Sequence, residues 1–304
     1  MTQVKWAAQM RHSSHGCTRG SPDRVSRDMM PIGYTGHDGW PLIAFIPEDA
    51  PPEAPVLVLM HGGGPDHRSL VPLARRLAGS AHVILPDIRG YGRSVCGAPA
   101  RHTWAQYAQD VIALLDHLGV HRALIGGAGL GTTISLRTVL ANPERVAGLV
   151  LISLEDIEDD AAKQAEIAFM EAFAARVRAD GLAAAWNPIL PHLSPVIGAM
   201  VREALPHADP ASAAAAAAIG YDRAFDSIDE LLAIDVPTLI IPGADWRHPA
   251  GLAKQLAEAL PNGRLAEVGM STDLLTTDDF GRVFAPVIQT FLIEFSDIFS
   301  NIKS

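Results

Sequence analysis

The sequence has little cysteine and no long apolar run. Only Cys17 and Cys96 occur among its 304 residues. Two cysteines cannot build a disulfide framework, and they are typical of a reducing, cytoplasmic setting. The apolar stretch at residues 54–60 has the length of a strand, and no apolar run approaches the ~20 residues that a membrane-spanning helix needs. We therefore expect a cytoplasmic protein with no membrane partner.

Basic residues are also scarce relative to acidic ones. The chain has 24 Lys and Arg against 34 Asp and Glu, which gives a net charge of −10. Nucleic-acid-binding proteins normally present a basic face, so the sequence predicts no nucleic-acid partner. No spacing of His, Asp or Glu is diagnostic of a metal site, and we expect neither a metal nor a cofactor.

The apolar content is sufficient for a sizeable core. Apolar residues make up 48% of the chain and charged residues 19%, and at ~150 residues per domain the length suggests one or two domains. Residues 1–31 differ from the rest, because they show no apolar periodicity and lack the apolar stretch of a secretory signal. We interpret them as a disordered N-terminal extension, or as the result of a start site placed too far upstream.

Strand and helix signals alternate from residue 32 onward. Residues 32–39 and 40–48 are expected to pair around a turn at 37–39. Continuous apolar strands follow, and such runs are typical of parallel strands buried on both faces. The segments between them show the 3.6-residue spacing of helices, as in residues 104–118. The pattern indicates an α/β core.

This alternation stops between residues 155 and 233, where only helical signals occur. Helices are predicted over 159–179 and 195–205, and a third begins with Asp209 as N-cap and Pro210 in its first turn. Acidic residues between 155 and 160 are interpreted as a solvated helix start. The helical block therefore interrupts an α/β core formed by residues 32–154 and 234–304.

Two glycine-rich motifs follow consecutive predicted strands. The first is His61-Gly62-Gly63-Gly64, and the second, residues 87–94, reads Asp-Ile-Arg-Gly-Tyr-Gly-Arg-Ser. Glycines at such places let the backbone turn sharply and direct N–H groups into a cleft. With the helical block in the expected gap, the sequence resembles the α/β-hydrolase superfamily over about residues 32–296. The resemblance implies an α/β-hydrolase fold, a mostly parallel sheet flanked by helices, with an inserted all-helical cap.

The resemblance also implies an oxyanion hole. One donor would be the N–H group of Gly62 or Gly63, and the other the N–H group of Leu130. His61 is interpreted first as a structural residue of this loop, because geometry decides whether a histidine carries protons.

The nucleophile elbow departs from the family pattern. Where the family has Gly-x-Ser-x-Gly, residues 127–131 read Gly-Ala-Gly-Leu-Gly. The register that places the nucleophile position at Gly129 puts glycines at both small positions, whereas a register on Ala128 would put Leu130 where a small residue is needed. Neither Gly129 nor Ala128 offers a nucleophilic oxygen or sulfur atom.

The remaining triad positions are also altered. Asp245 follows a strand where the resemblance places the catalytic acid, with a helix-capping aspartate as the alternative. The catalytic histidine is expected at residues 268–273, but the last histidine of the chain is His248. His248 is a candidate substitute base, although a solvated or helix-capping role is favoured because it lies only three residues from Asp245.

We expect the ligand site between the carboxyl edge of the sheet and the cap. Met270 is expected to fill the volume of the absent histidine, and Trp246 to close the wall beside the acid. The predicted lining is Gly62, Gly63, Gly129, Leu130, Asp245, Trp246 and Met270.

With two of three triad members absent, ordinary serine-hydrolase activity is not expected. The first hypothesis is a non-hydrolytic enzyme of the lyase, cyclase or isomerase type, acting on a small hydrophobic carbonyl-containing metabolite. The alternatives are a ligand-binding pseudoenzyme and an inactivated serine hydrolase of the esterase or lactonase type. A small hydrophobic metabolite is the expected partner, and a homodimer is compatible with the sequence.

Overall fold

A computed structural model describes residues 29–47 and 54–302. These ranges contain an eight-stranded sheet, and the strands are β1 (Met29–Thr35), β2 (Pro41–Pro47), β3 (Val56–Met60), β4 (His82–Pro86), β5 (Ala123–Ala128), β6 (Val146–Ile152), β7 (Thr238–Ile241) and β8 (Gly263–Leu265). The spatial order is β1-β2-β4-β3-β5-β6-β7-β8. The β1–β2 and β2–β4 pairs are antiparallel, and all pairs from β4 to β8 are parallel.

Helices cover the sheet and form the cap. They are α1 (Val71–Leu77), α2 (Trp104–His117), α3 (Leu130–Ala141), α4 (Asp160–Asp180), α5 (Leu182–Trp186), α6 (Pro195–Ala204), α7 (Pro210–Ala216), α8 (Ala250–Ala259) and α9 (Thr277–Ile302). The predicted mostly parallel sheet with flanking helices is confirmed. None of the helices in the described ranges combines the length and the apolarity needed to cross a membrane.

The first strand begins earlier than predicted. β1 starts at Met29, so its first three residues belong to the sheet and not to the predicted extension. These residues pair with β2 from Met29↔Pro47 onward, which gives their backbone groups ladder hydrogen bonds. Residues 1–28, including Cys17 and the rest of the predicted extension, lie outside the described residues.

The core lies on both faces of the sheet. Strands β3, β4 and β6 are buried along their whole length, as their continuous apolar sequences predict. One apolar cluster joins Met60 to Tyr107 and Ile134 of α2 and α3, and the other joins Leu59 to Leu73 and Phe284 of α1 and α9. This two-sided packing holds the carboxyl ends of the parallel strands at one edge, where the loops of the site meet.

The cap contains the three predicted helices and one that the sequence did not predict. Asp159 caps α4 by accepting from the amide of Ala162, and Asp209 caps α7 by accepting from the amide of Ser212. The additional helix, α5, has only five residues and follows Gly181, which has a positive φ of 87°. A small apolar cluster that includes Val177 holds these cap helices together.

Candidate active site

The turn between β5 and α3 has the form predicted for the elbow. β5 ends at Ala128, α3 begins at Leu130, and Gly129 between them has φ 51° and ψ −118°. The amide of Gly129 donates to the carbonyl of Ile152 at 3.1 Å, and the carbonyl of Gly129 accepts from the amide of Thr132 at 2.7 Å. These two hydrogen bonds hold the turn between strand β6 and the first turn of the helix.

The space around each glycine identifies the register of the elbow. A Cβ atom at Gly127 would lie 2.5 Å from the carbonyl oxygen of Met60, and one at Gly131 would lie 2.4 Å from the same atom. A Cβ atom at Gly129 would have its first neighbour, Nε2 of His248, at 3.4 Å. Position 129 can therefore carry a side chain, whereas the two flanking positions cannot.

The glycine-rich loop after β3 is held by its own histidine. His61 is fully buried, and its Nε2 atom accepts a hydrogen bond from the amide of Ile88 at 3.0 Å. Nδ1 therefore carries the proton and donates to the carbonyl of Gly62 at 2.8 Å. Burial lowers the pKa of His61, which favours this neutral form.

The same hydrogen bond orients the next amide. In a trans peptide the C=O and N–H groups point in opposite directions, so the N–H group of Gly63 points away from His61. The Cα atom of Gly62 lies 3.8 Å from the position of a Cβ atom at Gly129, which places the loop against the elbow. His61 thus positions the glycine-rich loop that was predicted to supply an oxyanion donor.

Asp245 and His248 form a hydrogen-bonded dyad that faces the elbow. Oδ1 of Asp245 accepts from the amides of Arg247 and His248 at 2.9 and 3.0 Å, and it contacts Nδ1 of His248 at 2.8 Å. The hydrogen bond from His248 lowers the pKa of Asp245, which favours the carboxylate form. In the tautomer whose Nδ1 proton is donated to this carboxylate, the Nε2 atom of His248 can accept a hydrogen bond, and this atom faces the elbow.

The structure therefore assigns His248 a different place from the solvated or capping role that the sequence favours. Asp245 and His248 form an isolated antiparallel bridge, which folds the loop back on itself and brings the imidazole over Gly129. The segment where the family histidine was expected, residues 268–273, contains no histidine. There the amide of Met270 donates to the carbonyl of Pro242 at 2.9 Å. The Met270 side chain is buried in the apolar cluster that contains Ala128.

Two other predicted lining residues are placed outside the cleft. Trp246 is 76% exposed, so the prediction that it closes the wall beside Asp245 is wrong. Its ring lies 5.5 Å from the guanidinium group of Arg247, and this contact holds it at the surface. The side chain of Leu130 is buried in the core, so it does not line the cleft.

Arg247 was not predicted as a site residue, and it ties the dyad loop to the cap. Its Nη2 atom donates to Oε1 of Glu166 in α4 at 2.9 Å, and its carbonyl accepts from the amide of Asp156 at 2.8 Å. Burial lowers the pKa of Arg247, but the charges of Glu166 and Glu155 outweigh it and raise the pKa. The dyad is therefore held between the sheet and the cap.

Glu155 and Tyr91 also lie at the site. Glu155 is part of the acidic stretch read as a solvated helix start, yet its Oε2 atom accepts from the hydroxyl of Thr133 in α3 at 2.6 Å. The hydroxyl of Tyr91 lies 3.9 Å from the position of a Cβ atom at Gly63. Tyr91 belongs to the second glycine-rich motif, and its aromatic character there was the only sequence signal for it.

Two nearby features border the glycine-rich loops. Asp66, His67 and Asp87 are buried together, but Nδ1 of His67 and Oδ1 of Asp87 are hydrogen-bonded at 2.8 Å, and Asp66 pairs with Arg68. Their polar atoms therefore hold the two glycine-rich loops in place. A small cavity of about 20 Å³, bordered by Met60 among other residues, has room for a water molecule.

Comparison with known proteins identifies the class. Residues 55–271 match the sequence model of the family described as alpha/beta hydrolase fold, and the chain belongs to this family. A relative from Variovorax paradoxus, named "Putative carbamate hydrolase RutD", is 31% identical over 252 residues, which cover 77% of this chain and 89% of that protein. A protein of the same name from Caulobacter vibrioides is 33% identical over 108 residues, and this match spans only 40% of its length.

Solved structures show the same fold. An esterase from Thermogutta terrifontis superposes with a TM-score of 0.71 at 24% identity, covering 88% of this chain and 99% of that one. An enol-lactonase from Burkholderia xenovorans superposes with a TM-score of 0.68 at 23% identity, covering 88% of this chain and all of that one. At these identities the likeness concerns the fold alone.

Proposed function

We propose that the protein is a non-hydrolytic enzyme that moves a proton on a small hydrophobic carbonyl compound, in a reaction of the isomerase, lyase or cyclase type. One observation carries this proposal. The Nε2 atom of His248 lies 3.4 Å from the place of a side chain at position 129, and that residue is glycine. The site therefore offers a positioned base without a nucleophile.

The absent side chain restricts the chemistry. Acyl transfer through a covalent intermediate needs an attacking oxygen or sulfur, and Gly129 supplies neither. The space left above Gly129 can instead receive a substrate atom within reach of His248. A C–H group adjacent to a carbonyl is a suitable proton donor, because its carbonyl oxygen can be stabilised as the proton leaves.

The proposed step balances within the substrate and His248. Nε2 of His248 takes a proton from the carbon next to the carbonyl, and the electron pair of the C–H bond moves onto the carbonyl oxygen. The N–H groups of Gly63 and Leu130 stabilise this oxygen, and the Asp245 carboxylate stabilises the imidazolium. The proton then returns to another carbon in an isomerisation, or to a leaving group in an elimination.

Contacts between the cap and the oxyanion loop support an apolar substrate. A Cβ atom at Gly64 would lie 2.6 Å from the ring of Trp186 in α5 and 3.2 Å from Val201 in α6. These cap side chains pack closely against the loop that would supply an oxyanion donor. Apolar groups so close to the site exclude water and suit a hydrophobic ligand.

A direct hydrolytic reaction is the second candidate. The Variovorax relative bears the name of a carbamate hydrolase and aligns with most of this chain. The same dyad could activate a water molecule in the space above Gly129, and that water would attack a carbamate without a covalent intermediate. Carbamate turnover with incorporation of labelled oxygen from water would favour this candidate over proton transfer.

Substitution of His248 tests the proposal. We expect the protein to catalyse deuterium exchange next to the carbonyl of small hydrophobic ketones in D₂O, and His248→Ala should lower this rate about 10²–10⁴-fold. Asp245→Asn should lower it too, because the carboxylate that stabilises the imidazolium is lost. Exchange is followed by NMR over a panel of ketones.

His192→Ala provides the matched control, since His192 is an exposed cap histidine that is not part of the dyad. This variant should exchange at the rate of the unaltered protein. Exchange that survives the loss of His248, or a ketone panel on which the unaltered protein shows no exchange above buffer, would contradict the proposal.

A further inference from the structure

Tyr91 places a phenolic hydroxyl beside the oxyanion loop. It follows β4 in the second glycine-rich motif, where its amide donates to the carbonyl of Ile88 at 2.8 Å. Its ring packs edge-on against His61, with the ring centres 5.4 Å apart. Because His61 also holds the carbonyl of Gly62, one buried imidazole orients both the loop and the phenol.

The hydroxyl is available to a ligand. Its oxygen lies 3.9 Å from the position of a Cβ atom at Gly63, on the loop that faces the elbow. No partner hydrogen-bonds to it within residues 29–47 and 54–302. A phenol next to a cleft normally bonds to protein, water or ligand, so this donor is free to bind a substrate oxygen.

The surroundings keep the phenol protonated. Burial, followed by the negative charges of Glu155 and Glu166, raises the pKa of Tyr91. Both charges disfavour a phenolate, so the hydroxyl remains a hydrogen-bond donor over the physiological range. Ligand oxygens that gain negative charge during a reaction are suitable acceptors for such a donor.

We propose that Tyr91 is a catalytic residue whose hydroxyl donates to the carbonyl oxygen of the substrate, opposite the base His248. This inference rests on the proposed proton-transfer function. The Nε2 atom of His248 lies next to position 129, position 129 lies next to Gly62, and the adjacent Gly63 lies next to the phenol, so the base and the phenol border the same turn and glycine-rich loop.

In the step, His248 takes the proton from carbon while the carbonyl oxygen gains the electron pair. Tyr91 donates a hydrogen bond to that oxygen and keeps its own proton in an isomerisation through an enolate. It therefore adds a third donor to the two backbone amides. The substrate class narrows to compounds whose reacting carbonyl oxygen becomes an oxyanion, such as ketones with an acidic C–H bond.

The test uses an oxyanion mimic, so that it does not depend on turnover. The phenolate of 4-nitrophenol is titrated into the full chain by calorimetry, and nitrobenzene serves as the neutral ligand of similar shape. Tyr91→Phe removes only the hydroxyl, and we expect about 10-fold weaker phenolate binding, because a hydrogen bond to a charged group is lost. Nitrobenzene binding should not change.

Tyr221→Phe is the control, because Tyr221 is exposed and its hydroxyl bonds to Glu171 at the cap surface. This variant should bind both ligands as the unaltered protein does. In the exchange assay, Tyr91→Phe should lower kcat more than it raises KM, since the oxygen accepts most strongly in the transition state.

Failure of this inference is distinguishable from failure of the proposed function. Equal phenolate affinity in Tyr91→Phe, or no phenolate binding by the unaltered protein, overturns the role of Tyr91, whereas loss of exchange in His248→Ala would still support the base. Conversely, weaker phenolate binding in Tyr91→Phe supports the donor even where exchange does not depend on His248. Thermal unfolding of Tyr91→Phe and His248→Ala verifies that these two variants fold.

Discussion

Serine at position 129 should raise the esterase activity of this protein above the background rate that we expect of the glycine-containing chain. The unaltered protein is expected to hydrolyse activated esters such as 4-nitrophenyl acetate at background rate, because no nucleophile is present at the elbow. In Gly129→Ser the new Cβ atom would stand 3.4 Å from Nε2 of His248. The hydroxyl then lies within hydrogen-bond reach of a base already oriented by Asp245.

The backbone at this position accepts the substitution at moderate cost. Gly129 has φ 51°, which lies in the left-handed region, and a non-glycine residue there costs about 1–3 kcal/mol of strain. This strain lowers the stability of the fold, whereas an activated nucleophile raises the rate of ester hydrolysis in the molecules that are folded. We expect ester hydrolysis to rise at least about 10²-fold, together with covalent labelling by a fluorophosphonate.

Two further variants separate the nucleophile from the base. Gly129→Ala introduces the same Cβ atom without the hydroxyl and should stay at background rate. Gly129→Ser combined with His248→Ala should lose most of the new activity, because the serine is no longer deprotonated. If Gly129→Ser is not labelled, or is labelled equally well without His248, the imidazole does not serve position 129.

Much of the fold could be predicted because its signals are local. The buried strands are recognisable in the sequence as short apolar runs. Two cap helices begin directly after their capping residues, Asp159 and Asp209. Helix α5 escaped prediction because five residues are too few to show a helical period. Its boundaries depend on packing against the neighbouring cap helices, which the local sequence does not encode.

The site was predicted less completely because it depends on how loops bend. The elbow at Gly129 could be located by its glycine spacing, since the requirement for small flanking residues is local. The reach of His248 follows instead from three hydrogen bonds to one oxygen of Asp245, and sequence distance alone suggested that the two residues were too close to cooperate. The exposure of Trp246 likewise depends on where Arg247 finds its partner, Glu166.

A methyl group added at Gly131 should destabilise the fold far more than one added at Gly129. The Cβ atom at 131 would lie 2.4 Å from the carbonyl oxygen and 2.9 Å from the carbonyl carbon of Met60, in a central strand that cannot move aside. Overpacking of this kind costs about 1–3 kcal/mol, and we expect Gly131→Ala at or above the upper end because the obstacle is backbone. Gly129→Ala should cost only the strain of its positive φ, about 1–3 kcal/mol.

The two variants are compared by urea unfolding, with Gly251→Ala as the control. A Cβ atom at Gly251 meets nothing within 4 Å, so this variant should unfold at the midpoint of the unaltered protein or slightly above it. We therefore expect Gly251→Ala to be the most stable variant, Gly129→Ala to be less stable, and Gly131→Ala to be the least stable. If Gly131→Ala were as stable as Gly129→Ala, the helix would start farther from β3, and the space assigned to a substrate above Gly129 would have to be placed elsewhere.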